Sequence, residues 1–222
     1  MTAVIGHLLP IALAVALSTI PITATILVLL SPAKPRVSIA LLAGWTAGIA
    51  GLAVVFTLGF KLIPSTSAAD NSTILAVIEL IVGAALVVFA IVDWRRRLHQ
   101  AKKEGTPAWM RVLGTLSWWQ ALGVGLVLTL RPKGLLLSIA AGAEVGNAGL
   151  AVPEGAIAIA IYTLVGVSTV AIPVIARLVA RERMEKPLTE VRGWITRNSG
   201  TVMLVVVLMT GVVIIGSGLS HL

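Results

Sequence analysis

The sequence has no cysteine and very few histidines. The absence of cysteine excludes disulfides, thiolate metal sites and cysteine nucleophiles. The three histidines, His7, His99 and His221, are too far apart along the chain to indicate a metal centre. A glycine-rich phosphate loop and a nucleophile–base–acid set are also missing from the sequence. We therefore expect neither an enzyme, nor a metal site, nor a bound cofactor.

Charge is scarce as well, at 12% of the 222 residues against ~25% in a typical soluble domain. Hydrophobic residues make up 58% and form runs that satisfy the ~20 apolar residues a bilayer-spanning helix needs. The six predicted spans are 4–30, 37–63, 73–94, 118–142, 154–179 and 199–219. No basic residue precedes the first run, which we interpret as a retained span rather than a cleaved signal. The prediction is an all-α polytopic membrane protein with a single domain, 1–222.

The charge that is present is basic, with a net charge of +8. Most lysines and arginines lie in the connections after the first, third and fifth predicted spans, whereas the opposite connections hold Lys61 beside Asp70, Glu144 and Glu154. This distribution follows the positive-inside rule rather than a nucleic-acid-binding pattern. It predicts a multi-pass inner-membrane protein with cytoplasmic basic loops and both termini outside.

Two proline motifs indicate an internal repeat. Residues 16–21 and 127–132 each place a hydroxyl residue, Ser18 or Thr129, three positions before a proline. Pro21 and Pro132 should each break an apolar helix. The halves 1–98 and 117–222, joined by the loop 95–117, would then be inverted three-helix repeats, as in many secondary transporters. Coincidence between two proline-containing helices is the alternative.

Arg131 and Lys133 are the sharpest signal, because they fall deep inside the fourth predicted span. A charge near the bilayer centre costs at least ~2.5–3.5 kcal/mol on insertion scales, so it should face a cavity or a partner. Together with carbonyls freed by Pro132, the two cations predict a site for phosphate, sulfate or carboxylate. The alternative is that both side chains extend to an interface, or that the helix ends earlier and places them at an interface.

Other polar residues of the spans have two interpretations each. Glu79 is a counter-ion or proton carrier, or else an outer-interface carboxylate. Asp93 is interpreted as an interfacial residue paired with the basic run after it. The hydroxyls around the breaks contact substrate or satisfy freed backbone groups. The substrate-contact candidates are Arg131, Pro132, Lys133, Ser18, Thr19, Pro21 and Thr129.

The stretch 121–126 continuing to Arg131-Pro132-Lys133-Gly134 resembles the fourth span of the GAP family, the glycolipid-addressing proteins related to the sulfolipid-addressing protein. Segments 16–21, 168–173 and 194–218 are similar to its first, fifth and sixth helices. The resemblance implies a LysE-superfamily fold of six helices that moves a lipid, or in distant relatives a small solute, outward. Members of the family usually have Asn-Pro-Lys-Asn at these positions. Pro132 and Lys133 match this motif, whereas Arg131 and Gly134 differ from it.

Three functions are consistent with these features. The first is a transporter or flippase for an anionic lipid or glycolipid, such as a lipid-linked phosphate or sulfate. The second is a proton-coupled exporter of amino acids or ions that uses Glu79. The third is a non-transporting membrane scaffold for lipid export, acting through the loop 95–117. Membrane lipids are the expected partners, a homo-oligomer or a lipid-export complex is open, and nucleic acid is not expected.

Overall fold

The structure is a computed structural model of the chain. It describes residues 1–31, 35–62, 68–100 and 116–179, with the backbone alone at 19, 68–76, 78–79 and 97–100. In the C-terminal part it describes 187, 190–191, 198, 201, 204–205, 207–212 and 214–216.

The described segments are helical, and they contain no strand, in agreement with the predicted all-α class. A shorter apolar helix, the C-terminal helix, lies at Val207–Gly216. The seven longer helices are α1 (Thr2–Ala16), α2 (Thr19–Leu30), α3 (Pro35–Lys61), α4 (Ala68–Gln100), α5 (Trp118–Thr129), α6 (Pro132–Asn147) and α7 (Val152–Val179).

Helices α3 and α7 are long and apolar enough to cross a membrane, with 27 and 28 residues and a mean hydropathy of 2.1 each. At 1.5 Å per residue each is ~40 Å long, more than the ~30 Å hydrocarbon core. Helices α1 and α2 meet at 48°, and α5 and α6 at 69°. Counting each bent pair as one span gives four candidates among the described residues. The third predicted span lies within α4 and the sixth is only partly described, so six spans remain a prediction.

Both bends coincide with the proline motifs. Ser18 is extended and precedes α2, which takes Pro21 in its first turn. Arg131 is extended and precedes α6, which begins at Pro132. A proline in the first helical turn loses no intrahelical hydrogen bond, and the residue before it favours the extended region. The two breaks differ in register, because α2 begins two residues before its proline and α6 begins at its own.

Glycines let the second bent pair pack closely along α3. A Cβ at Gly44 would meet the backbone of Leu122, and a Cβ at Gly48 would lie 2.5 Å from the hydroxyl oxygen of Thr129. Farther along, a Cβ at Gly146 would lie 2.9 Å from the carbonyl oxygen of Thr57. Small residues allow such close helix contacts in membranes. The order of these contacts shows that the α5–α6 pair runs parallel to α3.

The first bent pair packs in the same way against α7. Val15 faces Gly166, and the hydroxyl of Thr169 donates to the carbonyl oxygen of Ala16. Each bent pair therefore lies along the long continuous helix of the other half of the chain. Helix α4 meets the C-terminal helix where Gly83 and Gly211 approach each other. The central core between these units includes Leu8, Ile11, Trp45, Leu86, Leu137 and Tyr162.

Candidate functional site

A cavity of about 210 Å³ lies where the two helix breaks face each other. Both bent pairs contribute to it, together with one residue of α3 and two of α4. We call it the break pocket. Its lining residues are Ser18, Ile20, Pro21, Trp45, Phe89, Asp93, Leu128, Arg131, Pro132, Lys133 and Gly134.

Five of the residues predicted from the sequence meet in this pocket: Ser18, Pro21, Arg131, Pro132 and Lys133. They come from motifs more than a hundred positions apart in the chain. Their convergence follows from the packing described above, since both breaks face the space between α3 and α4. What these residues bind remains a prediction.

The two cations occupy different environments. Lys133 is buried, with 7% of its surface exposed, in the first turn of α6. Arg131 is exposed and immediately precedes that helix. A buried Lys133 does not fit the alternative in which both side chains extend to an interface, but α5 does end at Thr129, before the two cations, as in the alternative of an earlier helix end. The pocket thus has one cation enclosed in its wall and one that is accessible.

Thr129 has a different position from the one predicted. Its hydroxyl donates to the carbonyl oxygen of Leu126 at 2.6 Å, its side chain packs against Gly48, and it does not line the break pocket. A hydroxyl that bonds the preceding turn of its own helix satisfies backbone groups near the break. The side chains of Thr19 and Glu79 lie outside the described residues, so both assignments stay predictions.

Asp93 is a pocket residue that the sequence analysis assigned to the interface. It lines the cavity, and its carboxylate attracts the guanidinium of Arg131. The sequence did contain a signal for it, because two cations inside a membrane require a nearby anion. Asp93 is an acidic residue within the predicted spans, but its position just before the basic run favoured a pairing there.

Trp45 is the other residue that sequence reasoning missed. It is 4% exposed, lines the break pocket, and its indole Nε1 has no hydrogen-bond partner among the residues the structure describes. The indole N–H is a donor only, and leaving a buried donor unsatisfied costs about 1–3 kcal/mol. An acceptor atom in the pocket would remove that cost.

Helix N-termini add to the positive potential of the pocket. The first turns of α2 and α6 both contribute lining residues, Ile20 with Pro21 and Pro132 with Lys133. Unsatisfied backbone N–H groups give a helix N-terminus a partial positive charge and make it suitable for anions. The lining residues therefore give the pocket a net positive potential. Its contributions are the two helix N-termini, the two cations and the indole N–H of Trp45, against the carboxylate of Asp93. The arrangement is suited to a ligand with an anionic, acceptor-rich group.

Comparison with known proteins agrees with this description. A family model described as "Sap, sulfolipid-1-addressing protein" matches residues 8–220, which include both breaks and every residue of the pocket. The predicted family resemblance is thereby confirmed, while placement in the LysE superfamily remains a prediction. No curated protein and no solved structure matches the chain.

Proposed function

The chain belongs to the sulfolipid-1-addressing protein family, and we propose that it is a transporter that moves an anionic lipid or glycolipid across the cytoplasmic membrane towards the cell envelope. Membership of this family implies a role in sulfolipid or glycolipid addressing or export. The transport step and the negative charge of the substrate are the proposal. The observation that carries them is the break pocket, which brings two cations and two helix N-termini into one cavity.

The size of the pocket favours a headgroup as its ligand. A cavity of about 210 Å³ accommodates a sulfate or phosphate ester with part of a sugar, and the acyl chains would remain in lipid. Lys133 would act as the buried charge on the anion, and Arg131 would bind it in bidentate fashion with its planar guanidinium. Asp93 would hold Arg131 in place while the pocket is empty.

The packing of the helices supports an inverted repeat. The α1–α2 pair runs along α7, and the α5–α6 pair runs along α3, so exchanging the halves 1–98 and 117–222 exchanges the two contacts. The contact between Gly83 and Gly211, which joins the third helix of each half, would lie on the pseudo-twofold axis that relates the halves. In transporters of this construction, one repeat rocks against the other around a central site. We propose that the two units rock about the break pocket in this way.

The positions of the helix ends support the predicted orientation. The beginning of α1 and the end of α6 meet where His7 Nδ1 lies 3.2 Å from Glu144 Oε2, and Lys61 Nζ donates to Leu150 O at 3.4 Å on the same side. The end of α2 and the end of α7, which precede basic connections, lie together at a different place, since Ser31 and Arg177 line one common cavity. We propose that the side of Arg177 is cytoplasmic and that both termini face outward.

The test is a reconstituted lipid-flipping assay with a fluorescent sulfated glycolipid and its neutral counterpart. We expect the double variant Arg131→Met, Lys133→Met to lose at least tenfold in the rate for the sulfated lipid, because methionine keeps much of the side-chain volume and removes the charge. Arg36→Met, at the beginning of α3 and outside the break pocket, is the matched control and should stay within twofold of wild type. A folded double variant with the wild-type rate would reject the site.

The two alternative functions rest on parts of the chain outside the described side chains. The solute exporter depends on Glu79, and the scaffold depends mainly on residues 101–115 of the predicted loop. Deletion of the gene followed by lipid analysis of the outer envelope separates the three. If the deletion strain loses an anionic lipid and a variant with the loop replaced restores it, the transporter is supported. If the wild-type gene restores the lipid and the loop variant does not, the scaffold is supported. An unchanged lipid profile favours the solute exporter.

A further inference from the structure

A second cavity, well separated from the break pocket, lies between α3 and α7. Its volume is about 610 Å³, and it shares no lining residue with the break pocket. On α3 its lining begins at Ala50 and ends at Lys61. On α7 it includes the small residues Gly155, Ala156 and Ala160, which leave space between the two helices. We call it the α3–α7 groove.

The groove has the length and chemistry of a site for one acyl chain. From Ala50 to Lys61 the helix rises ~16 Å, close to half of the ~30 Å hydrocarbon core and therefore to one leaflet. Val54, Leu58 and Leu164 line it and are 40%, 55% and 72% exposed. These apolar walls lie open to the surrounding lipid, and a chain laid between them would be contacted on both sides.

A cation stands at one end of the groove. Lys61 is the last residue of α3, lines the groove and is exposed. Its ammonium donates to Leu150 O at 3.4 Å, and an ammonium has three N–H donors. Glu154 of α7 lies near this end, but it does not line the groove, and its carboxylate accepts from the backbone N–H of Ala151 at 3.3 Å. The charge at the groove itself is therefore positive.

Thr57 places an unsatisfied hydroxyl one helical turn deeper than Lys61. It lines the groove, is 5% exposed, and its Oγ1 has no hydrogen-bond partner within the described part of the chain. Two helical threonines bond the preceding turn, Thr46 to Leu42 O at 2.8 Å and Thr163 to Ile159 O at 2.8 Å, whereas Thr25 Oγ1 has no described partner either. Four residues of helix place Thr57 ~6 Å below Lys61, the depth at which a glycerolipid has its ester carbonyls.

We propose that the α3–α7 groove binds one anionic, ester-linked lipid of the leaflet on the Lys61 side, with an acyl chain between the two helices. The Lys61 ammonium contacts the headgroup, and the Thr57 hydroxyl donates to an ester carbonyl. Under the orientation proposed above this is the outer leaflet. The site stands on its own contacts and does not require that the chain transports anything.

The experiment is native mass spectrometry of the purified chain released from nanodiscs that contain phosphatidylglycerol or phosphatidylcholine with identical acyl chains. We expect wild type to retain one phosphatidylglycerol. Ala160→Phe places a ring in the groove and should lower retention at least tenfold. Ala84→Phe is the matched control, because Ala84 is an exposed alanine of α4 that lines neither the groove nor the break pocket, and it should retain lipid as wild type does.

Two further variants separate the contacts. Lys61→Gln should remove the preference for phosphatidylglycerol over phosphatidylcholine. Thr57→Val should lower retention of the ester-linked lipid several-fold and leave an ether-linked analogue, which has no carbonyl, unaffected. Equal retention by Ala160→Phe and Ala84→Phe, or an unchanged lipid preference in Lys61→Gln, would overturn the proposal. The measurement is lipid retention at the groove and not flipping, so a failure of the transport proposal does not produce the same result.

Discussion

The two helix breaks share an architecture but differ in chemistry. Each joins two half-helices, has a proline in the first turn of the second half-helix, and contributes to one cavity. The first break is neutral, with Ser18 extended at its centre. The second carries Arg131 and Lys133 and bends more sharply, by 69° against 48°. The comparison indicates that the first break supplies shape and backbone dipole, while the second supplies most of the affinity for an anion.

The largest expected effect comes from removing the buried cation of the second break. Lys133→Met should lower transport of a sulfated glycolipid by about tenfold to hundredfold, since hydrogen bonds to charged groups are worth ~1.5–3 kcal/mol. Ser18→Ala, at the corresponding place in the first break, should change the rate by less than about threefold. The flipping assay described above measures both. Equal losses for the two variants would contradict the proposed division of roles.

The next effect concerns why the second break can bend so sharply. A Cβ at Gly134 would meet the carbonyl oxygen of Thr129, so Gly134→Ala forces the first turn of α6 away from the end of α5. Overpacking of this kind costs about 1–3 kcal/mol, visible as a lower temperature of thermal unfolding. Gly123→Ala is the control on α5, because a Cβ there meets nothing within 4 Å. If both variants unfold at the same temperature, close approach at Gly134 is not what sets the bend.

A smaller effect should follow from the donor that α3 provides to both breaks. Trp45→Phe keeps the aromatic ring and removes the indole N–H, so affinity for the anionic lipid should fall by about threefold to tenfold, as expected for ~0.5–1.5 kcal/mol. Thermal stability in the absence of lipid should fall only through the smaller volume of the phenyl ring, since Trp45 is buried in the core but its Nε1 has no described partner to lose. Fluorescent-lipid titration measures the affinity. Trp118→Phe, at the exposed beginning of α5, is the control and should be silent.

The smallest effect is expected at the ion pair between the outer ends of the two bent pairs. His7 Nδ1 and Glu144 Oε2 are 3.2 Å apart, and the His7 side chain is 50% exposed. The Glu144 side chain is 12% exposed, but solvent reaches the half-exposed His7, so His7→Ala should shift thermal unfolding only slightly, by the ~0.2–1 kcal/mol typical of solvent-screened pairs. A large loss of stability would mean that this contact holds the two units together more strongly than its exposure suggests.

The sequence allowed prediction of the parts of the site that depend on local chemistry. Proline disfavours a continuous helix, and at Pro21 and Pro132 a hydroxyl residue lies three positions before it, so both bends were predicted, although Pro10 and Pro173 lie inside continuous helices. A charged residue inside an apolar run must face a cavity or a partner because lipid does not solvate it, which is why Arg131 and Lys133 could be identified as site residues. The family resemblance rested on the same residues and is confirmed. These inferences needed no knowledge of how the helices pack.

Features of the site that depend on how the helices pack could not be predicted from the sequence. Trp45 and Phe89 enter the break pocket from α3 and α4, and nothing in their immediate sequence marks them as pocket residues. Asp93 was assigned to the basic run next to it because distance along the chain was the available guide. Thr129 was predicted to contact substrate, but its hydroxyl bonds its own helix.

The crossed arrangement of the bent pairs has a consequence for biogenesis. The glycines Gly44 and Gly48 of α3 pack against Leu122 and Thr129 of α5, which are synthesised about eighty residues later. Likewise α1 packs against α7, which is made after most of the chain. Among the described helices each half has some contacts of its own, such as α2 with α3, but the glycine faces of α3 and α7 are covered by the other half, so early spans must wait in the translocation machinery or in lipid with these faces uncovered. Fragments cut between the halves would therefore be expected to acquire native structure only on reassociation, as complementing pieces.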